Sequence, residues 1–309
     1  MKRRFKVGLA LGGGAARGLA HLGVLRVLER ENVPIDMIAG SSMGALAGAL
    51  YAANPKIEKI ILRAATFFTS PEFVDSKLHY LKRGEEEIGF FESVSNAVKR
   101  GLMISSAVTR LSFLEREDLY ELLGHFVDDR DIRSLQIPLA IVACDLARGA
   151  EVVFRKGPII DAIAASSAVP GAFPPVRIGG MDCIDGGVVN MVPVSAIRDM
   201  GADLVIAVNV SHDLPQPAEM KRALEVFFHT HEITKQVLIN LQIADADIVL
   251  TPSVGHIHWA DFTAAERIIQ IGEDVAQQAM PQIRQALVKL TRRQVWPRFY
   301  RRAFGKIKI

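Results

Sequence analysis

Cysteine is nearly missing from this chain. Only Cys144 and Cys183 occur among 309 residues, too few for a disulfide framework. Both fall in apolar segments and are expected in the core, and no cysteine pair has zinc spacing with the histidines. A reducing, cytoplasmic setting fits that usage. Aromatics are also scarce, at 7%, although hydrophobic residues reach 50% and mean hydropathy is +0.21. Ala, Val, Ile and Leu must therefore fill the core, as they do where helices are layered on a sheet. No apolar run has membrane-spanning quality: the longest uncharged stretch, Met37 to Pro55, is rich in Gly, Ala and Ser. The N-terminal Lys2-Arg3-Arg4 followed by apolar residues imitates a secretory signal. Lys6 interrupts that run and glycines follow at once, so a signal peptide is not expected.

Net charge is only +3, but it is unevenly placed. Residues 291–309 hold seven basic side chains (Arg292, Arg293, Arg298, Arg301, Arg302, Lys306 and Lys308) and no acid, which leaves −4 on residues 1–290. Trp296, Phe299, Tyr300 and Phe304 are interleaved with them. That pattern suits peripheral contact with an anionic membrane at the inner face. A solvated terminus is the plain alternative; a nucleic-acid partner is not expected. The chain is parsed as one domain over 5–290 plus the basic-aromatic tail 291–309.

Along the chain, residues 5–11 read as a buried strand, followed by the loop Gly12-Gly13-Gly14-Ala15-Ala16-Arg17-Gly18 and a helix to Glu31 with leucines three apart. A second strand from Ile35 to Ala39 runs into Gly40-Ser41-Ser42-Met43-Gly44, and a small-residue helix to Ala53 leads out. Helices are expected over 57–68, 86–99 and 115–127, with the block 55–111 as a candidate cover for a site. Ile137 to Asp145 reads as a strand with a returning partner at 150–154, followed by a helix over 159–166 and an extended Pro-rich loop at 173–175. Cys183-Ile184 delivers Asp185 to a strand end, where Gly186-Gly187 turn the chain away. Further helices are expected at 194–200 and 219–243, strands at 204–210 and 248–251, and a last helix from Phe262 to Leu290 broken near Pro281. Strands alternating with helices imply an α/β sheet covered on both faces.

Three stretches carry chemistry. Gly40-x-Ser42-x-Gly44 between strand and helix is the context in which a serine sits on a tight turn with its hydroxyl held out from the sheet. Gly40 and Gly44 would let backbone pack tightly around that turn. The glycine loop matches a dinucleotide site only in part: Gly12 and Gly14 fit, but Arg17 stands where the last glycine belongs and Asp36 opens the second strand where an acid is wanted near its end, so nucleotide binding there stays a lesser alternative. It lacks the Gly-Lys-[Ser/Thr] of a P-loop. As an oxyanion hole it fits better: Gly12, Gly13 and Gly14 would turn backbone N–H groups inward at a helix N-terminus. Arg17 either braces this loop or attracts an anionic group of the substrate. The third stretch, Asp185-Gly186-Gly187, presents an acid at a strand end with little crowding. Serine needs a base to become nucleophilic. If Asp185 serves, it must be partly desolvated with a raised pKa. A triad through His212 or His256 is the rival arrangement. His21 is expected to cap or pack, and the pairs His229/His231 and His256/His258 lack a third zinc ligand.

These three motifs, in this order and with Asn190 and Pro193 downstream, resemble the patatin-like phospholipase family over residues 5–210, in particular the compact bacterial members related to the catalytic region of neuropathy target esterase. The resemblance implies a three-layer α/β/α sandwich with a central, mostly parallel sheet. It implies a Ser42–Asp185 dyad, an oxyanion loop at Gly12–Gly14 supported by Arg17, Gly18, Gly40, Gly44, Gly186 and Gly187, and no metal or cofactor. Its substrate would be a lipid acyl ester: phospholipid, lysophospholipid or a simpler carboxylic ester. A membrane-associated lipid-binding module without turnover is the alternative from another class.

Overall fold

The computed structural model describes residues 5–74, 112–211, 220 and 223–304. Its centre is an eight-stranded mixed sheet. Strands β1 (Val7–Leu11), β2 (Met37–Ser41), β3 (Leu139–Asp145), β7 (Leu204–Val208) and β8 (Ile248–Leu250) run parallel, while β4 (Ala150–Phe154), β5 (Val176–Ile178) and β6 (Met181–Asp185) supply the antiparallel pairs.

Strand side chains alternate between faces, and the core divides accordingly. Val7, Leu9, Leu11, Ile38, Leu139, Ile141, Leu204 and Ile206 face one layer. That layer comprises α1 (Ala20–Arg30), α2 (Met43–Ala53), α3 (Ile57–Phe68), the short α4 (Pro71–Val74), α5 (Arg116–Gly124), α6 (Ile159–Ser166) and α9 (Ala265–Phe304). Ala10, Met37, Ala39, Ala140, Val142, Val205 and Ala207 face the other, formed by α7 (Val194–Asp199) and α8 (Ala223–Ile243). The result is the expected three-layer α/β/α sandwich. The continuous apolar strands follow from burial on both faces.

The structure differs from the expectations at two points. The final helix does not break at Pro281 but runs unbroken from Ala265 to Phe304, with a 3₁₀ turn at Phe262–Ala264 before it. Proline removes a hydrogen bond inside a helix. Here Ala276, Met280 and Ile283 are buried against the core on both sides of it, and that packing holds the helix. The helix also continues into the basic-aromatic tail. Secondly, Ala15–Leu19 form a 3₁₀ turn before α1. The extended loop at 173–175 leads into β5, a three-residue edge strand on β6 that the sequence reading did not name. The helix expected at 86–99 lies outside the described residues. Among the described residues no helix is long and apolar enough to cross a membrane.

One feature of the sheet positions the candidate site. β2 and β4 both pair with Ile141 and Val142 of β3, so they occupy opposite edges. β4 and β6 both pair with Ala143, Cys144 and Asp145, so they too are on opposite edges. β2 and β6 therefore share one edge of β3, head to head. β2 ends with Ser41 opposite Val142, and β6 ends with Asp185 opposite Ala143.

Candidate active site

Where the two strand ends meet, the chain leaves β2 through Ser42. Its backbone has φ 51° and ψ −123°, and it caps the N-terminus of α2. A positive φ at a residue with a side chain costs roughly 1–3 kcal/mol and persists only where the surroundings impose it. The surroundings here are visible. A Cβ on Gly44 would fall on the carbonyl oxygen of Leu11, and one on Gly40 would strike the backbone of Gly44 and Ala45. Both glycines are required by close backbone approach, as the sequence reading expects. The N–H of Ser42 donates to Ser166 Oγ at 2.8 Å.

Asp185 reaches the same point from β6. It is buried, and its Oδ1 accepts the Gly187 N–H at 2.7 Å. Burial pushes its carboxyl up to about 6; interactions with the Ser42 hydroxyl and the Gly187 N–H pull the other way. That is the environment a carboxylate needs to accept a proton near neutral pH. Gly186 lets the following turn lie against the end of β3, since a Cβ there would fall on the Val142 carbonyl.

The glycine loop lies above the pair. The amides of Gly12 and Gly13 are already committed, donating to Val208 O and Met191 O, each at 3.0 Å. Gly12 and Gly13 therefore do not offer free N–H groups in this arrangement, which narrows the expectation for residues 12–14. Among the described residues the amides of Gly14 and Ala15 make no such bond. Met43, first in α2, has no acceptor for its N–H within its own helix. Ala15 has φ 48°, so two of the three non-glycine residues with positive φ among the described residues, Ala15 and Ser42, line one cleft.

His21 acts on this loop from below. It is wholly buried, and its Nε2 lies 2.7 Å from Gly12 O. Burial lowers its pKa to about 4, so the neutral ring donates Nε2–H to that carbonyl and keeps it turned away from the cleft. This is the packing role read from the sequence. Arg17 acts as a brace: its Nε donates to Ile257 O at 2.7 Å and its Nη2 to Gly255 O at 3.3 Å. With Ala16 N–H donating to Trp259 O at 2.9 Å, it ties the loop to the 255–260 segment. Gly18 allows that turn to pack directly on Met43.

The cleft holds about 200 Å³ and is mostly apolar. Ser42, Asp185, Gly13, Gly14 and Ala15 form one side of its lining, and Val169, Pro170, Val188, Met191 and Trp259 contribute elsewhere. α8 contributes His231, Glu232, Thr234, Lys235 and Leu238; Glu232 and Lys235 form an ion pair there. Among the described residues this wall, not the described part of the 55–111 block, flanks the cleft. Of the rival histidines, His212 lies outside the described residues and His256 is paired with Arg267 instead. Asn190 donates to Glu151 and Ser195 and does not line the cleft. Asp36 donates nothing to a nucleotide reading: its carboxylate accepts the N–H of Val7, at the far end of β1 from the glycine loop. Ser166, Met43 and the α8 wall were not singled out in the sequence. Ser166 sits in an ordinary Ala-Ala-Ser-Ser-Ala run, which carries no signal of its contact with residue 42.

The chain is similar to several known proteins. Residues 9–197 match the family model of patatin-like phospholipases. An uncharacterized NTE family protein of Mycobacterium bovis is 32% identical over 213 residues, 69% of this chain and 51% of its own length. A patatin-like phospholipase domain-containing protein of Caenorhabditis elegans is 34% identical over 206 residues, covering 66% of this chain but 13% of its own. The chain thus spans about half the length of the mycobacterial relative and a small part of the animal one. Among solved structures, VipD from Legionella pneumophila superposes with TM-score 0.46 at 14% identity, covering 90% of this chain and 67% of VipD. Human GIVD cytosolic phospholipase A2 gives 0.45 at 13% identity, covering 94% and 60%.

Proposed function

Because the chain belongs to the patatin-like phospholipase family, we propose that it is a serine hydrolase of lipid acyl esters working through Ser42 and Asp185. The observation that carries this reading is the head-to-head meeting of β2 and β6, which puts a strained, buried serine beside a desolvated carboxyl in one apolar cleft. Ser42 Oγ attacks the ester carbonyl carbon while Asp185 takes its proton. The tetrahedral oxyanion is held by the amides of Gly14 and Ala15 from one side and Met43 from the other, at helix N-termini whose dipoles favour negative charge. Collapse releases the alcohol, which recovers the proton from Asp185. Water activated by the same carboxylate then hydrolyses the acyl-enzyme. His21 keeps the glycine loop in shape without entering the proton path.

The cleft's apolar lining suits a fatty-acyl chain, so phospholipid, lysophospholipid and simpler fatty esters are the substrate class. Residues 291–304 extend α9, and the basic-aromatic tail 291–309 is the proposed contact with an anionic membrane surface. Hydrolysis of p-nitrophenyl esters by the wild type and by Ser42→Ala tests the reading. Activity that disappears with an unchanged melting curve supports it. Activity retained in Ser42→Ala, or folded wild type that binds lipid without turnover, overturns it.

A further inference from the structure

The last residue of α6 and the turn after it touch both members of the pair. Ser166, wholly buried, accepts the Ser42 N–H at 2.8 Å and donates its own hydroxyl proton to Val142 O at 2.6 Å. Two residues on, Ala168 O accepts the N–H of Asp185 at 3.0 Å. Val142 is itself the β3 residue opposite Ser41, and Ala143 is opposite Asp185. One three-residue stretch, 166–168, thus grips the backbone of residue 42 through a side chain and that of residue 185 through a carbonyl. It does so on the strand against which both chain ends are registered.

We propose that residues 166–168 set the spacing of Ser42 and Asp185, with Ser166 as the positioning residue that holds the strained turn at the nucleophile. The inference rests on the hydrolase reading above. At the N-terminal cap of a helix the Ser42 N–H has no acceptor inside the helix. With φ at 51° the backbone is in a region that a side-chain-bearing residue leaves unless held. The Ser166 hydroxyl supplies the acceptor, and its own donation to Val142 O fixes which lone pair faces residue 42. A hydroxyl can do both at once; an alkyl group can do neither. Removing it leaves a buried N–H and a buried carbonyl unpaired. The least costly relief is for the turn to rotate, carrying Ser42 Oγ away from Asp185. Ser166 touches no reacting atom, so its effect travels only through that geometry.

The test compares wild type, Ser166→Ala, Ser166→Thr and Ser166→Cys on a p-nitrophenyl ester across pH. Ser166→Ala is expected to lose roughly 10- to 100-fold in kcat, the scale of a small misplacement of reacting groups, with KM within about twofold of wild type by the same reasoning. The acid limb of its pH profile should move to higher pH, because Asp185 loses the serine contact that favours its charged form. Ser166→Thr keeps the hydroxyl and should recover most of the rate and the original limb. If Ser166→Ala fails to fold, Ser166→Cys, nearly isosteric but a weak acceptor, carries the same expectation. Full kcat with an unmoved pH limb in the folded Ala or Cys variant overturns the inference. Wild type without Ser42-dependent turnover overturns the hydrolase reading instead, so the two failures are told apart.

Discussion

Replacing Asp185 by Asn should make the protein more stable and inactive, and the gain should depend on pH. The carboxyl is buried, and its pKa rises from an ordinary 3.8 to about 6. In the unfolded chain it returns to the ordinary value. Between those two values the folded state binds more protons than the unfolded state, so stability falls as pH rises through the window and levels off above it. At about 1.4 kcal/mol per pH unit of displacement, the ionised carboxylate costs roughly 3 kcal/mol at pH 8. Asparagine keeps the shape and can accept the Gly187 N–H, yet carries no charge to bury. Asp185→Asn should therefore match wild type near pH 4 and exceed it by roughly 3 kcal/mol at pH 8, or several degrees in Tm for a chain of this size. Urea unfolding followed by circular dichroism at pH 4, 6 and 8 measures the difference. A variant that is equally stable or less stable at pH 8, or whose advantage is the same at every pH, would refute the reasoning.

Other outcomes follow from the same geometry. The wild-type rate should fall on acidification with a midpoint near 6, where Asp185 takes up its proton; a pH profile flat down to 4.5 contradicts that carboxylate as base. Gly44→Ala would drive a methyl group into the Leu11 carbonyl, costing roughly 3 kcal/mol or more and abolishing ester hydrolysis; a variant with wild-type melting and rate sinks the close-packing account of the turn. Removing residues 293–309, which hold six of the seven basic tail residues, should lower co-sedimentation with anionic vesicles and leave turnover of a short ester in solution intact; unchanged co-sedimentation rejects the tail as the membrane contact.

Local pattern made much of this molecule legible before its structure. Continuous apolar strands bounded by glycine loops identified β1, β2 and β3, and the switch to small-residue helix after Gly44 marked α2. Ser42 stood out because it lies between a strand and a helix with Gly40 and Gly44 on either side, and Asp185 because it ends a strand just before Gly186-Gly187. Long-range pairing was not legible. That β2 and β6 abut on one edge of β3 depends on partners about 100 and 40 residues away in sequence, and no periodicity reports it. The same limit hid Ser166, whose chemistry exists only through its contact with residue 42. The glycine loop was legible as glycine-rich backbone, but which of its amides are free depends on Val208 and Met191 accepting from the first two. Pro281 misled because local propensity favours a break, whereas burial of Met280 and Ile283 holds the helix together.

The account stands or falls on Ser42 as the nucleophile. Intact-mass spectrometry and peptide mapping after exposure to a long-chain fluorophosphonate measure this directly. One adduct per chain is predicted, on Ser42, with none on Ser42→Ala and slower labelling of Asp185→Asn. Folded wild type that takes up no adduct, or takes it up at another residue, would contradict the account.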